Sequence, residues 1–236
     1  MKLPTVIICA HNEADNIGEV IDRVQAAVPS CSILVVDDDS SDATATIAKE
    51  HGATVYRNPP GSEYGDGFLR GLEIAVKAES DPIIFLDAGL SYQPEDIPWL
   101  LDHHRMKRRI DNGPEFEDCF DVVIGSRIVS GSTYNGKWYR KVLTYIAIYT
   151  FAIARRKRPM DYSGFRLFRL SAARLILRVN ALNDADKKAH TFNLAILAGL
   201  QDDHFKIVQV PVHYTVTNST LNWRRFLSAA KILRRL

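Results

Sequence analysis

Two apolar stretches run straight into carboxylates. Ile33-Leu-Val-Val-Asp-Asp-Asp-Ser-Ser-Asp42 ends in four acids and two hydroxyls, and Ile83-Ile-Phe-Leu-Asp-Ala-Gly89 ends in Asp87. In an open α/β sheet, ligands bind in the crevice beyond the carboxyl ends of the strands, so acids placed there face a ligand rather than a core. Two such strands point to one shared site. A single acid in this position also has a purely local use, and Asp42, just before Ala43-Thr-Ala-Thr-Ile-Ala48, is expected to cap a helix. A third apolar stretch, Asp121-Val-Val-Ile-Gly-Ser-Arg127, ends in a fixed positive charge, where a phosphate would meet Arg127.

The elements that must position these residues follow from periodicity. Strands are expected at Thr5–Ala10, Ser32–Asp37, Thr54–Arg57 and Ile83–Asp87, with helices at Asp15–Ala27, Ala43–His51 and Asp66–Ala78 between them. This βαβα order predicts an α/β fold, a mostly parallel sheet with helices on both faces. Asn58-Pro-Pro-Gly-Ser-Glu-Tyr-Gly-Asp-Gly67 is a turn-rich loop whose glycines let backbone approach a ligand, yet its spacing is neither a Walker loop nor G-x-G-x-x-G. A plain surface loop and a phosphate cradle both remain open for it. Pro94-Glu-Asp-Ile-Pro-Trp99 starts a helix, and His103 to Phe120 is expected to be an irregular connection.

Charge divides the chain. Residues 1–100 hold 6 Lys/Arg against 17 Asp/Glu, a net −11, whereas 101–236 hold 24 against 11, a net +13. The second half therefore suits an anionic partner: membrane phosphates, nucleic acid or a phosphorylated substrate. Its apolar run Val142–Ala154 is closed by Arg155-Arg-Lys-Arg158 and spans thirteen residues, short of the roughly 17–25 that cross a bilayer. Such a segment suits a membrane interface or a buried helix. Residues 216–236 are expected to form a basic amphipathic helix, with Phe226, Ala229, Ala230, Leu233 and Leu236 on one side and Arg224, Arg225, Lys231 and Arg235 opposite, following a single domain over 1–215. Three scattered cysteines without C-x-x-C spacing argue against disulfides and zinc and for a reducing compartment. With no signal peptide read at Met1-Lys-Leu-Pro-Thr5, the expected location is cytoplasmic, or peripheral at the membrane's cytoplasmic face.

Taken in order, these pieces resemble a family 2 glycosyltransferase of the GT-A fold, in the branch of dolichol-phosphate mannosyltransferases and bacterial polyprenyl-phosphate glycosyltransferases. Val6-Ile-Ile-Cys-Ala-His-Asn-Glu-Ala-Asp-Asn-Ile17 is similar to P-A-Y-N-E-E-x-N-I, with cysteine for proline and histidine for tyrosine. Val36-Asp-Asp-Asp-Ser-Ser-Asp-Ala-Thr44 is similar to V-D-D-G-S-T-D-G-T, and Leu86-Asp-Ala-Gly-Leu-Ser-Tyr-Gln-Pro-Glu-Asp-Ile97 to the D-A-D-x-x-x-x-P-E region. Val123-Ile-Gly-Ser-Arg127 and Ser163-Gly-Phe-Arg-Leu-Phe168 match later signatures.

The resemblance implies a nucleotide-sugar donor, UDP- or GDP-linked. Ala10, Asn12, Glu13, Asp37, Asp38, Arg70 and Asp87 form the implied donor-binding set, with Asp38 accepting a hydrogen bond from the base and Asp87 near the diphosphate. Carboxylate acceptors suit the N–H edge of uracil or guanine, and a departing diphosphate needs cations. A divalent ion, Mg2+ or Mn2+, would bind at Asp87. Here the chain departs from the pattern: D-x-D has become Asp87-Ala88-Gly89, and Ser91 stands where glutamine is usual. Losing one carboxylate weakens a hard-cation site, so Arg127 and Arg166 are the alternative source of positive charge. Val210-Pro-Val-His-Tyr-Thr215 likewise lacks the R-x-x-G-x-S-K that follows V-P-I in polyprenyl-phosphate enzymes.

The expected activity is inverting transfer of a hexose, by in-line displacement at the anomeric carbon. Asp87, Asp161, Arg127 and Arg166 are the candidate catalytic residues, Asp161 being the base if the acceptor is a hydroxyl. Lys137, Trp138 and Arg140, in a segment where basic residues alternate with aromatics, are the candidate acceptor contacts. Two acceptors fit: a polyprenyl phosphate, favoured by the resemblance, and a hydroxymethylated pyrimidine in DNA, favoured by the basic half. A noncatalytic nucleotide-sugar-binding protein is the reading of another class, with the retained Asp37, Asp38, Asp87 and Arg127 against it.

Overall fold

The computed structural model describes residues 2–104, 107–109, 115–117, 120–180, 187, 189–202 and 205–217. From residue 218 onward, the expected basic helix lies outside the described residues. In chain order the elements are β1 (Thr5–Ala10), α1 (Ile17–Ala27), β2 (Ser32–Asp37), α2 (Thr44–Glu50), β3 (Thr54–Arg57), α3 (Tyr64–Lys77), β4 (Ile83–Asp87) and α4 (Ile97–His104). They continue with β5 (Lys107–Arg109), β6 (Glu115–Glu117), β7 (Val122–Ser126), β8 (Thr133–Asn135), α5 (Trp138–Arg155), β9 (Arg166–Phe168), α6 (Leu170–Asn180), α7 (Ala189–Asp202), β10 (Ile207–Pro211) and β11 (His213–Thr215).

Seven strands form one sheet in the order β10-β7-β9-β4-β1-β2-β3. Every pairing is parallel except those of β9, which runs antiparallel between β4 and β7. The mostly parallel α/β sheet read from the sequence is therefore what forms. Strand β1 is an interior strand, between β4 and β2, and buried on both faces, as parallel strands covered by helices must be. Its side chains alternate between two cores: Val6 and Ile8 pack with Ile17, Val20 and Ile21 of α1, while Ile7 packs with Phe68 and Leu72 of α3. On the second face Phe68 stacks on Phe85 at 3.9 Å and meets Phe168 and Phe192 edge-on.

Three boundaries differ from expectation for local reasons. Helix α1 begins at Ile17 because the Glu13 carbonyl takes the Asn16 and Ile17 amides in a preceding turn. Helix α3 begins two residues early, at Tyr64, because Glu63 and Asp66 form a reciprocal capping box. Helix α5 extends back to Trp138, so the polar-aromatic Trp138-Tyr-Arg-Lys141 is its first turn. Between α4 and β7, where an irregular connection is expected, the described residues include the antiparallel pair β5 and β6. Among the described residues no helix is long and apolar enough to cross a membrane.

Candidate active site

Sheet register brings the acids together. Ala10 pairs with Asp37 and Cys9 with Asp87, so the carboxyl ends of β1, β2 and β4 lie level at one edge. The loops leaving β1 and β2 are then stitched to each other. Asn12, held at φ 53°, accepts the Ser41 amide at 2.8 Å, and its own amide donates to Ser40 Oγ at 2.9 Å. His11 Nδ1 meets the Asp38 carbonyl at 2.6 Å. Asp42 accepts the Thr44 amide at 2.9 Å and the Ala14 amide at 3.1 Å. The N-cap of α2 is Ala43, without a side-chain cap bond, so Asp42, expected as the cap, stands one residue before it and ties the two loops together instead.

A cleft of about 390 Å³ opens above this edge, lined by Cys9, Ala10, His11, Asp38, Asp39, Gly61, Ser62 and Tyr64. The turn-rich 58–67 loop thus forms one wall of it. Asp38 accepts from Asn58 Nδ2 at 2.7 Å, and its carboxylate lies so close to α3 that a Cβ on Gly67 would sit 2.5 Å from Oδ1. Its pKa is raised to about 6, mainly by burial and further by the neighbouring Asp37 charge, with the Asn58 bond opposing. Asp37 itself is fully buried: Oδ1 accepts the Ser40 amide at 3.1 Å, Arg57 Nε lies 3.6 Å from Oδ2, and Oδ2 has no hydrogen-bond partner. It braces the turn from beneath the cleft.

Asp87 closes β4 with a buried Oδ1 that has no hydrogen-bond partner. Burial raises its pKa to about 6; the Tyr92 backbone bond opposes this, and the Glu13 charge adds to it. A Cβ on Gly89 would lie 3.4 Å from Glu13 Oε1 and 3.7 Å from Thr217 Oγ1. An orphaned carboxylate oxygen beside a second carboxylate and hydroxyls is a donor set suited to Mg2+ or Mn2+. Among the described residues no group of three or more His, Cys, Asp or Glu is arranged to hold a metal alone.

A second cluster lies at the ends of β7 and β11. Arg127 donates from its backbone N, Nε and one terminal nitrogen to Asp161, at 2.8, 3.0 and 2.5 Å. Asp161 is fully buried and the Arg127 side chain 12% exposed. Burial, the largest single influence, lowers the Arg127 pKa, but the charge and hydrogen bond of Asp161 together with Tyr92 and Tyr162 outweigh it and hold it well above its usual value. The guanidinium lies over the rings of Tyr162 at 5.5 Å and Tyr214 at 5.3 Å. Tyr214 in turn packs on Tyr92 and Tyr134, and β11 is fastened by Asp96, which accepts the His213 amide at 2.7 Å.

The expected residues are thus only partly gathered. Ala10 and Asp38 line the cleft, Glu13 faces Gly89 and its charge acts on Asp87, and Asn12 and Asp37 hold the loops. Arg70 is not among the lining residues: it pairs with Glu73 at 2.9 Å and lies over Tyr56. Asp161, expected as a base, has both oxygens occupied by Arg127, which removes it from proton acceptance in this arrangement. Arg166 is fully buried within β9, donating to the Asn193 carbonyl at 3.4 Å, its pKa lowered to about 10 chiefly by burial. From there it adds positive field but no contact at an open surface. Lys137 occupies the N-cap position of α5 without a side-chain cap bond, Trp138 is 77% exposed, and the Arg140 amide donates to the Lys137 carbonyl. His11, Asn58 and Tyr64 were missed by sequence reasoning. For His11 the signal was its standing at the tyrosine of the first motif.

The profile of "Glycosyl transferase family 2" matches residues 5–177. Among curated relatives, the polyprenol monophosphomannose synthase of Mycolicibacterium smegmatis is 29% identical over 218 residues, covering 89% of this chain and 76% of that protein. The dolichol-phosphate mannosyltransferase of Pyrococcus furiosus is 29% identical over 222 residues, covering 90% of this chain but 56% of that protein. Among solved structures, glucosyl-3-phosphoglycerate synthase from Mycobacterium tuberculosis, in complex with Mn2+, UDP and glucosyl-3-phosphoglycerate, superposes with a TM-score of 0.68 at 19% identity, covering 99% of this chain and 77% of that one. A profile spanning most of the chain, on a parallel sheet whose acids converge at one edge, makes this protein a GT-A glycosyltransferase of family 2.

Proposed function

We propose that the protein transfers a hexose, with inversion, from a nucleoside-diphosphate sugar to a polyprenyl phosphate at a membrane surface. The observation that carries the acceptor is the outer face of α5. Trp138, Val142, Ile146, Tyr149 and Ile153 stand exposed at four- and three-residue spacing, an apolar stripe that nothing among the described residues covers. Lys137, Arg140 and Lys141 precede or open this helix, Arg155-Arg-Lys-Arg158 close it, and it contains no acid. Apolar length with cationic ends suits an anionic lipid interface. Self-pairing of two such helices, in either direction, would set like charges together. The names of the curated relatives point the same way, two of them being mannosyltransferases that act on a polyprenol or dolichol phosphate.

In this reading the nucleoside enters the 390 Å³ cleft, with Asp38 as acceptor for a base N–H. The diphosphate lies toward Asp87 and Glu13, which would hold Mg2+ or Mn2+. The ion's contribution is to offset charge on the departing diphosphate. The acceptor phosphate approaches Arg127 within its tyrosine surround, and Lys137, Trp138 and Arg140 at the start of α5 are its further contacts in this reading. An acceptor oxygen attacks the anomeric carbon as the bond to the diphosphate oxygen breaks, the electron pair leaving with the diphosphate. Because a phosphate acceptor is already anionic, no base is needed, consistent with an Asp161 wholly committed to Arg127. The protein's own part is to orient both anions and balance their charge.

The test is donor turnover with UDP- and GDP-hexoses, GDP-mannose included, offered polyprenyl phosphate in anionic vesicles or hydroxymethylated duplex DNA, each with Mn2+ and with EDTA. Transfer to the lipid supports the reading. Transfer to DNA alone overturns it and assigns the basic half to nucleic acid. Donor binding without transfer to either would favour a noncatalytic protein.

A further inference from the structure

We infer that Glu13 replaces the carboxylate lost at Gly89, so that Asp87 and Glu13, from the ends of two neighbouring strands, together hold the divalent cation that accompanies the donor diphosphate. The inference rests on the nucleotide-sugar reading above.

Three observations carry it. First, the place where a second acid of D-x-D would begin is faced by an acid from elsewhere: a Cβ on Gly89 would lie 3.4 Å from Glu13 Oε1. Second, Glu13 is held in that pose. Its backbone amide donates to Thr44 Oγ1 at 2.9 Å, its carbonyl takes the Asn16 and Ile17 amides, and Asn16 Nδ2 donates to Oε2 at 2.8 Å. Oε1 is the oxygen turned to Gly89. Third, Asp87 supplies a buried Oδ1 without a partner, an arrangement that costs free energy unless a cation completes it.

The hydroxyls of Ser91 and Thr217, 3.0 Å apart, extend the same wall, so the donors are all hard oxygens. Two carboxylates fill only part of an octahedral shell, and diphosphate oxygens and water must supply the rest. Cation affinity should therefore depend on nucleotide. The loss of the D-x-D acid is on this account a relocation of charge from β4 to the loop after β1.

The experiment titrates Mn2+ into the full chain, following free Mn2+ by electron paramagnetic resonance, with UDP or GDP present and absent. Nucleotide affinity is measured in parallel with Mn2+ and with EDTA. Wild type should deplete the free-Mn2+ signal when nucleotide is present. Glu13→Gln should weaken that depletion at least about tenfold, the scale on which even outer-sphere partners alter metal affinity. Adding Gly89→Asp to Glu13→Gln should restore it, since Gly89 lies outside the positive-φ glycines and its Cβ would meet only ordinary contacts. Wild-type Mn2+ affinity in Glu13→Gln, or no recovery in the double variant, overturns the inference. Nucleotide binding that is equal in Mn2+ and EDTA overturns it while leaving the donor reading intact. No binding of either nucleotide removes both.

Discussion

Arg127 and Asp161 form a two-pronged ion pair, with Nε 3.0 Å and a terminal nitrogen 2.5 Å from the two carboxylate oxygens, and the Arg127 amide adds a third bond. The carboxylate is fully buried, so neither partner tolerates loss of the other. Asp161→Ala should cost about 3–5 kcal/mol in urea unfolding, because it strands a buried guanidinium. Replacing both, as Arg127→Met with Asp161→Leu, should recover much of that stability while transfer stays abolished. Recovery of transfer in the double variant would contradict a role for Arg127 at the acceptor.

Asp38 sets a pH dependence with two opposite signs. Its folded pKa of about 6 stands above its usual 3.8, so between those values the folded chain binds the proton more tightly than the unfolded one. This group's contribution to stability therefore falls as pH rises from about 4 to about 6 and is constant above. Nucleotide binding, which uses the ionised acceptor, should instead weaken as pH drops through about 6. Asn58→Leu removes the amide that favours ionisation and should move that inflection upward, whereas Asp38→Asn should remove the Asp38 part of it, read with EDTA present so that Asp87, also raised to about 6, adds no metal-linked proton. Calorimetric nucleotide affinities between pH 5 and 8 decide this.

Gly67 is the residue that lets Asp38 lie against α3. A Cβ there would meet Oδ1 at 2.5 Å, so Gly67→Ala must push the carboxylate aside. Nucleotide affinity should fall by about tenfold or more, the 1.4 kcal/mol scale of one good hydrogen bond to a charged group. Thermal unfolding should change little by comparison, because a helical Gly-to-Ala change is by itself favourable.

The α5 stripe predicts where lipid matters. Ile146→Glu and Ile153→Glu put a charge on residues 47% and 76% exposed, so folding should be nearly unaffected. Sedimentation with anionic vesicles should drop severalfold, and transfer to vesicle-borne acceptor should fall with it. Unchanged vesicle binding in both variants would remove α5 from the interface.

The layout was legible because apolar runs of strand length alternate with amphipathic stretches, and the acids stand where those runs end. Period and spacing therefore placed β1 to β4, and with them the convergence of Asp37 and Asp87. Tertiary pairings were not legible. Nothing in the spacing says that Asp161 closes on Arg127, thirty-four positions away, or that Arg166 is sealed inside the sheet. Antiparallel β9, only three residues long, carries no period of its own. It is fixed by β4 and β7 on either side. Arg70 shows both kinds of contact: its pairing with Glu73 follows from their i,i+3 spacing on one helix, whereas its place over Tyr56 depends on packing.

The most direct test of the account is the chemical identity of the product. Purified protein, GDP-mannose or UDP-hexose, Mn2+ and polyprenyl phosphate in anionic vesicles should yield an organic-phase glycosyl phosphodiester with the mass of acceptor plus one hexosyl group and an inverted anomeric centre. A lipid fraction without that product, while the sugar appears on DNA or in water, would contradict it.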